Sequence, residues 1–192
     1  MAEHCFKQSD SCDVRTLPGG GQYTHFGLQK GIERLIKSGD IIDSVSKLNL
    51  QFNVDGLPLF KSSSTSLWPI LCIVQNSDTR TPFTVGCFCG NSKPSDLQAY
   101  LSDFMTELQG LLANGFFFCD IHYECSVHSF VCDTPAKAYI KCIKGHAGYS
   151  GCDKCHIEGE WNGKMTFPST NDVLRTDKEF SELSDEEHHL ER

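Results

Sequence analysis

The chain has 192 residues, 39% of them hydrophobic, and 25 Asp and Glu against 17 Lys and Arg give it a formal net charge of −8. That length suits one domain with tails. The absence of any apolar run of about 18 residues excludes a transmembrane helix. The acidic balance argues against a domain that grips DNA unaided, because neutralising phosphates supplies most of that affinity. The polar start, Met1 to Asp13, lacks the apolar stretch of a secretory leader. Eleven cysteines, an odd number, therefore read as reduced intracellular thiols, with room for a metal site among them.

In chain order, residues 1–22 read as a flexible tail, broken by Pro18-Gly19-Gly20-Gly21. Leu28, Ile32, Leu35 and Ile36 place a packing helix within His25 to Lys37, with Gly39 as its stop. Leu48 to Asp55 alternates apolar and polar residues, the period of a strand, and Gly56-Leu57-Pro58 interrupts it. Lys61 to Ser66 is a polar loop, where Lys61 with Ser62, Ser63 and Ser64 either touches a phosphate or is simply solvated. Trp68 to Gln75 and Phe83 to Cys89 are the second and third strands, joined like a hairpin through Thr79-Arg80-Thr81-Pro82.

Ser95 to Asn114 is the clearest helix. Leu97, Tyr100, Leu101, Phe104, Met105, Leu108, Leu111 and Leu112 fall on one stripe, Ser95 with Gln98 forms a capping box, and Gly115 stops it. Phe116 to Phe118 reads as a buried link, Tyr123 to Cys132 as the fourth strand, and Thr134-Pro135-Ala136 as a helix start. Glycine and charge dominate from Gly145 onward, and Ser181 to Arg192 is acidic and polar. The expected division is a tail at 1–22, a core at 23–143 and a glycine- and Cys-rich region at 144–192.

Two acids stand out by position. Asp55 ends the first strand and Asp133 follows the fourth. Each has a local reading: Asp55 as a turn residue accepting backbone hydrogen bonds, Asp133 as the cap of the helix behind it. Taken together they suit a sheet in which the first and fourth strands are neighbours. Carboxylates far apart in sequence then share divalent metal, the clamp that two-metal phosphodiester chemistry uses.

Gly151-Cys152-Asp153-Lys154-Cys155-His156 carries a Cys-x-x-Cys pair in a glycine-rich loop. Such a knuckle presents two thiolates to one zinc. A thioredoxin-like redox pair would sit at a helix start after a strand, and two free thiols are the plainest alternative. Zinc needs further ligands, for which His156, His188 and His189 are candidates and His146 a more distant one. Cys72, Cys87, Cys125 and Cys132 lie in apolar runs and read as small core residues.

Several segments, in order, resemble the catalytic domain of CACTA-type (En/Spm-like) DNA transposases. They are Phe52-Asn53-Val54-Asp55-Gly56-Leu57-Pro58-Leu59-Phe60-Lys61, Leu67-Trp68-Pro69-Ile70, Asp96 to Leu101, Cys132-Asp133-Thr134-Pro135-Ala136, and Lys144-Gly145-His146 through Cys155. Gly21 to Leu28 resembles the lead-in of animal members. The likeness spans roughly residues 20–190. It implies a ribonuclease-H-like α/β fold: three antiparallel strands, a helix, then a fourth strand parallel to the first. It also implies DNA as partner, Mg2+ or Mn2+ as cofactor, a nuclear location for a working protein, Asp55 and Asp133 as the first two catalytic acids, and Cys152 and Cys155 as the Cys-x-x-Cys of the region behind the second. The family's third acid has no match here. Glu186 and Glu187 come too early for it, so the chain is expected to be the front part of a catalytic core and inactive alone.

Overall fold

The computed structural model describes residues 13–41, 44–59, 64–169 and 171–190. It divides into two compact units, Met1–Val131 and Cys132–Arg192. Lys61, Ser62 and Ser63 lie outside the described residues.

The first unit is a mixed α/β layer. Its elements are β1 (Val14–Thr16), β2 (Gln22–His25), α1 (Leu28–Ser38), β3 (Lys47–Val54), β4 (Leu57–Pro58), β5 (Ser66–Val74), β6 (Phe83–Gly90), α2 (Leu97–Asn114), β7 (Phe116–Phe118) and β8 (Ile121–Val131). The strands form one sheet in the order β1-β2-β6-β5-β3-β8-β7, with β4 paired to β5. β3 and β8 run parallel; the other pairs of the sheet are antiparallel.

Side-chain alternation explains where the core lies. Leu48, Leu50, Phe52 and Val54 of β3 are buried, as are Ile70, Cys72 and Val74 on β5. α2 covers that face: the Phe104 ring meets Phe52 edge-on with centroids 5.0 Å apart. α1 buries Leu28, Ile32 and Leu35. At Gly31 a Cβ would collide with the Phe83 ring, so only glycine lets this turn of α1 approach β6. Burial raises the Cys72 thiol far above its ordinary value and lifts Cys125 to about 11, as expected of thiols that serve as small apolar side chains.

Four local expectations are corrected. Residues 13–22 are not all tail, since Val14–Thr16 pairs with β2. α2 is capped by Asp96, whose Oδ1 accepts the Ala99 N–H at 2.9 Å, because Ser95 instead donates its hydroxyl to Pro18 O. The helix stripe is narrower than drawn, leaving Met105 and Leu112 exposed. Phe116–Phe118 is a strand, not a buried link, and Phe117 is 73% exposed on it.

The second unit holds α3 (Thr134–Lys141), the two-stranded β9 (Glu160–Trp161) and β10 (Met165–Thr166), and α4 (Asp177–Glu182). Its buried apolar residues include Ala136, Ile143, Cys155 and Ile157. Thr176 and Glu179 make a reciprocal capping box on α4. No described helix of either unit is long and apolar enough to cross a membrane.

Candidate functional site

β3 leads into Asp55, and β8 ends two residues ahead of Asp133. Their parallel ladder runs from Lys47↔Glu124 to Leu50↔Val127, then shifts, so that Gln51 pairs with Ser129 and Asn53 with Val131. The shift makes His128 the extra residue of a bulge, a device that re-aims the end of a strand. Beyond it the register is equal on both strands: Asp55 comes two residues after Asn53, and Asp133 two residues after Val131.

Each acid also performs its local task. Asp55, half-buried, accepts the Gly56 N–H on Oδ1 at 2.7 Å. Asp133, exposed, caps α3 by accepting the Ala136 N–H on Oδ1 at 2.7 Å, with Pro135 in the first turn where its missing N–H costs nothing. Carboxylate oxygens are hard donors and suit Mg2+ or Mn2+.

The Cys-x-x-Cys loop is a preset thiol pair. Cys152 Sγ and Cys155 Sγ stand 3.4 Å apart. Burial alone would raise the Cys152 thiol, but N–H groups of Lys154 and Cys155 and the neighbouring thiol bring it below its ordinary value. Cys155 receives the Ile157 N–H, which favours its thiolate, yet burial and the nearby Cys152 sulfur leave it raised. Amide groups pointing at both sulfurs are what a metal-binding pair of thiolates requires.

Arg175 ties this loop down. Its Nε donates to Cys152 O at 3.0 Å, its backbone N–H to Lys154 O at 2.9 Å, and its NH1 to Asp185 Oδ2 at 2.6 Å. Asp185 is held below its usual range: burial pushes it up, and the Arg175 bond and charge outweigh that.

The histidines divide. The His156 ring lies between acids, with Nε2 3.5 Å from Glu179 Oε1 and Nδ1 3.7 Å from Asp185 Oδ2. His188 is 1% exposed and places Nδ1 2.7 Å from Ser150 O. That contact assigns the ring proton to Nδ1, and among the described residues Nε2 has no hydrogen-bond partner. Burial lowers His188's pKa, keeping the ring neutral. Among the described residues no three His, Cys, Asp or Glu side chains already stand together as a metal-holding group.

Two cavities open in this unit. One, of about 280 Å³, is lined by Lys141, Arg175, Glu179, Asp185, His188 and His189, among others. The other, of about 410 Å³, holds the thiol pair together with His146, Lys144, Ile157 and Phe167. Arg175 escaped the sequence reading because it lies in no motif; His188 was weighed only as a zinc candidate, and its burial went unread because it sits in an acidic, polar stretch that carries no signal of burial. Glu187, weighed as a distant acid, pairs with Lys144 Nζ at 2.9 Å.

Searches find no family profile that matches this chain, and no curated protein matches it.

Proposed function

We propose that the chain is a transposase-derived domain of the ribonuclease-H-like, DDE/D nuclease type, with Asp55 and Asp133 as two of its metal-binding acids and DNA as its substrate. The observation that carries the reading is the register of β3 and β8. They are the first and last of four long strands, parallel and adjacent, and an aspartate stands two residues beyond each member of their last pair, Asn53 and Val131. The sheet order β6-β5-β3-β8 supports it further, as do the ordered segments that resemble CACTA-type transposases.

Each carboxylate spends Oδ1 on a backbone N–H, and Oδ2 would face the cation. Bound there, Mg2+ or Mn2+ would polarise a phosphoryl oxygen and activate a water. The chain's own part is to hold two oxygen ligands at the ends of neighbouring strands. Two acids fix an ion loosely, and phosphoryl transfer depends on in-line geometry. The net charge of −8 also opposes capture of a phosphate backbone. On this reading the chain alone binds the metal but does not nick DNA.

A second reading, a non-catalytic zinc-stabilised binding module of the same descent, draws support from the amide-cradled Cys152–Cys155 pair. Titration of the full chain with Mn2+, followed by electron paramagnetic resonance, separates the two. The nuclease-type reading expects a bound ion that both Asp55→Ala and Asp133→Ala lose, with no nicking of supercoiled plasmid. Unchanged Mn2+ binding in the two variants favours the binding module. Metal-dependent nicking that Asp55→Ala abolishes would instead show that these 192 residues contain a third ligand.

A further inference from the structure

We infer that His146 is the third protein ligand of a zinc site built on Cys152 and Cys155, in place of the adjacent His156. The inference rests on the reading that the two thiols bind zinc, and adds to it which histidine joins them.

Zinc takes four ligands in structural sites, or three with an open position in catalytic ones. The knuckle supplies two. Of the histidines in the same unit, three are engaged elsewhere. His156 is anchored through its backbone N–H to Val173 O at 3.0 Å, and its ring is turned to Glu179 and Asp185. His188 is buried against Ser150 O. His189 lies on the Phe180 ring at 5.1 Å, and both it and His188 line the smaller cavity, which does not include the sulfurs.

His146 lines the same cavity as Cys152 and Cys155. Its loop is also packed against the knuckle. Gly148 N–H donates to Gly145 O at 2.9 Å, closing a turn around His146, and Gly151 N–H donates to Gly148 O at 3.1 Å. A Cβ on Gly151 would collide with the Gly145 and Gly148 carbonyls, so the turn carrying His146 touches the residue just before Cys152. The His146 side chain is exposed, and exposed side chains change rotamer within nanoseconds without repacking a core.

The surroundings favour a thiolate-bound cation site. Lys137, paired with Asp153, lines the cavity, and N–H groups of Lys154, Cys155 and Ile157 point at the two sulfurs, an arrangement that favours deprotonated thiols. The thiol pair is preset and the third ligand moves in when metal arrives, which is how metal binding couples to local ordering.

The test uses the full chain loaded with zinc, and compares it with Cys152→Ser, His146→Ala and His156→Ala. Zinc per chain is measured after gel filtration, and affinity by competition with a chromophoric chelator. Co2+ substitution reports the ligand set through its visible absorption, and circular dichroism checks folding. Cys152→Ser should lose the metal. His146→Ala should bind zinc more than about a hundredfold more weakly, beyond the loss of about 10–100-fold typical of a residue merely supporting a ligand, with an altered Co2+ spectrum and partial rescue by added imidazole. His156→Ala should bind as the parent does. Parent-like affinity in His146→Ala, or an equal or larger loss in His156→Ala, would overturn the assignment. Failure of the underlying zinc reading looks different: the parent takes up no zinc, or Cys152→Ser takes up as much as the parent.

Discussion

Asn53 and Val131 face each other at the end of the parallel pair β3–β8, and the Asn53 side chain donates from Nδ2 to Val131 O at 2.7 Å. This bond supports the register that follows the shift at Leu50/Gln51. Asn53→Ala removes the bond and leaves both strands in place. At a solvated site the loss should be about 0.5–1.5 kcal/mol, read by chemical denaturation. A change below about 0.3 kcal/mol would mean that the backbone ladder alone sets the register.

The packing of α2 depends most on Phe104. It is 1% exposed and contacts the Phe52 and Phe130 rings with centroids 5.0 and 6.4 Å away. Phe104→Ala should cost about 3–5 kcal/mol in a denaturant titration. Met105, the next residue in the chain and 38% exposed, is the control. Met105→Ala should stay within about 0.5 kcal/mol of the parent.

These two sites show what the sequence could reveal. Alternation along β3 and the stripe of α2 are local signals, and both elements lie where the periodicity puts them. β1 was missed because its three residues are all exposed and show no alternation. The choice of Asp96 over Ser95 as cap turned on a bond from Ser95 to Pro18, far away in sequence. The parallel pairing of β3 with β8 was legible because strand order follows from the order of periodic runs. The direction of the His156 ring was not, since it is set by Glu179 and Asp185, which reach it only after folding.

Glu107 makes the clearest pH prediction. From α2 it accepts the N–H groups of Leu28 and Gln29 at 2.6 and 2.9 Å, at the N-terminus of α1, and lies 2.8 Å from His25 Nε2. Burial pushes its pKa up, but these bonds outweigh that and hold it below the ordinary glutamate value of 4.5. A depressed carboxylate contributes stability above its unfolded pKa and loses it as pH falls through the folded one. The parent should therefore lose stability from about pH 4.5 downward. Glu107→Gln should be less stable at pH 7 by about 1.5–3 kcal/mol, because it loses charge-assisted bonds. Its stability should also fall less steeply in acid. Parallel pH profiles for the two proteins would show that Glu107 is not the group responsible.

The central claim, that Asp55 and Asp133 hold one cation between them, is tested most directly by iron-mediated backbone cleavage. Fe2+ bound in a magnesium site, with ascorbate and peroxide, releases hydroxyl radicals that cut the chain only beside the metal. The account predicts cuts near both Asp55 and Asp133 in the folded chain, competed by Mg2+ or Mn2+, and the loss of both cuts in Asp55→Ala and in Asp133→Ala alike. Cutting near only one aspartate, or a pattern at one site that survives removal of the other acid, would contradict it.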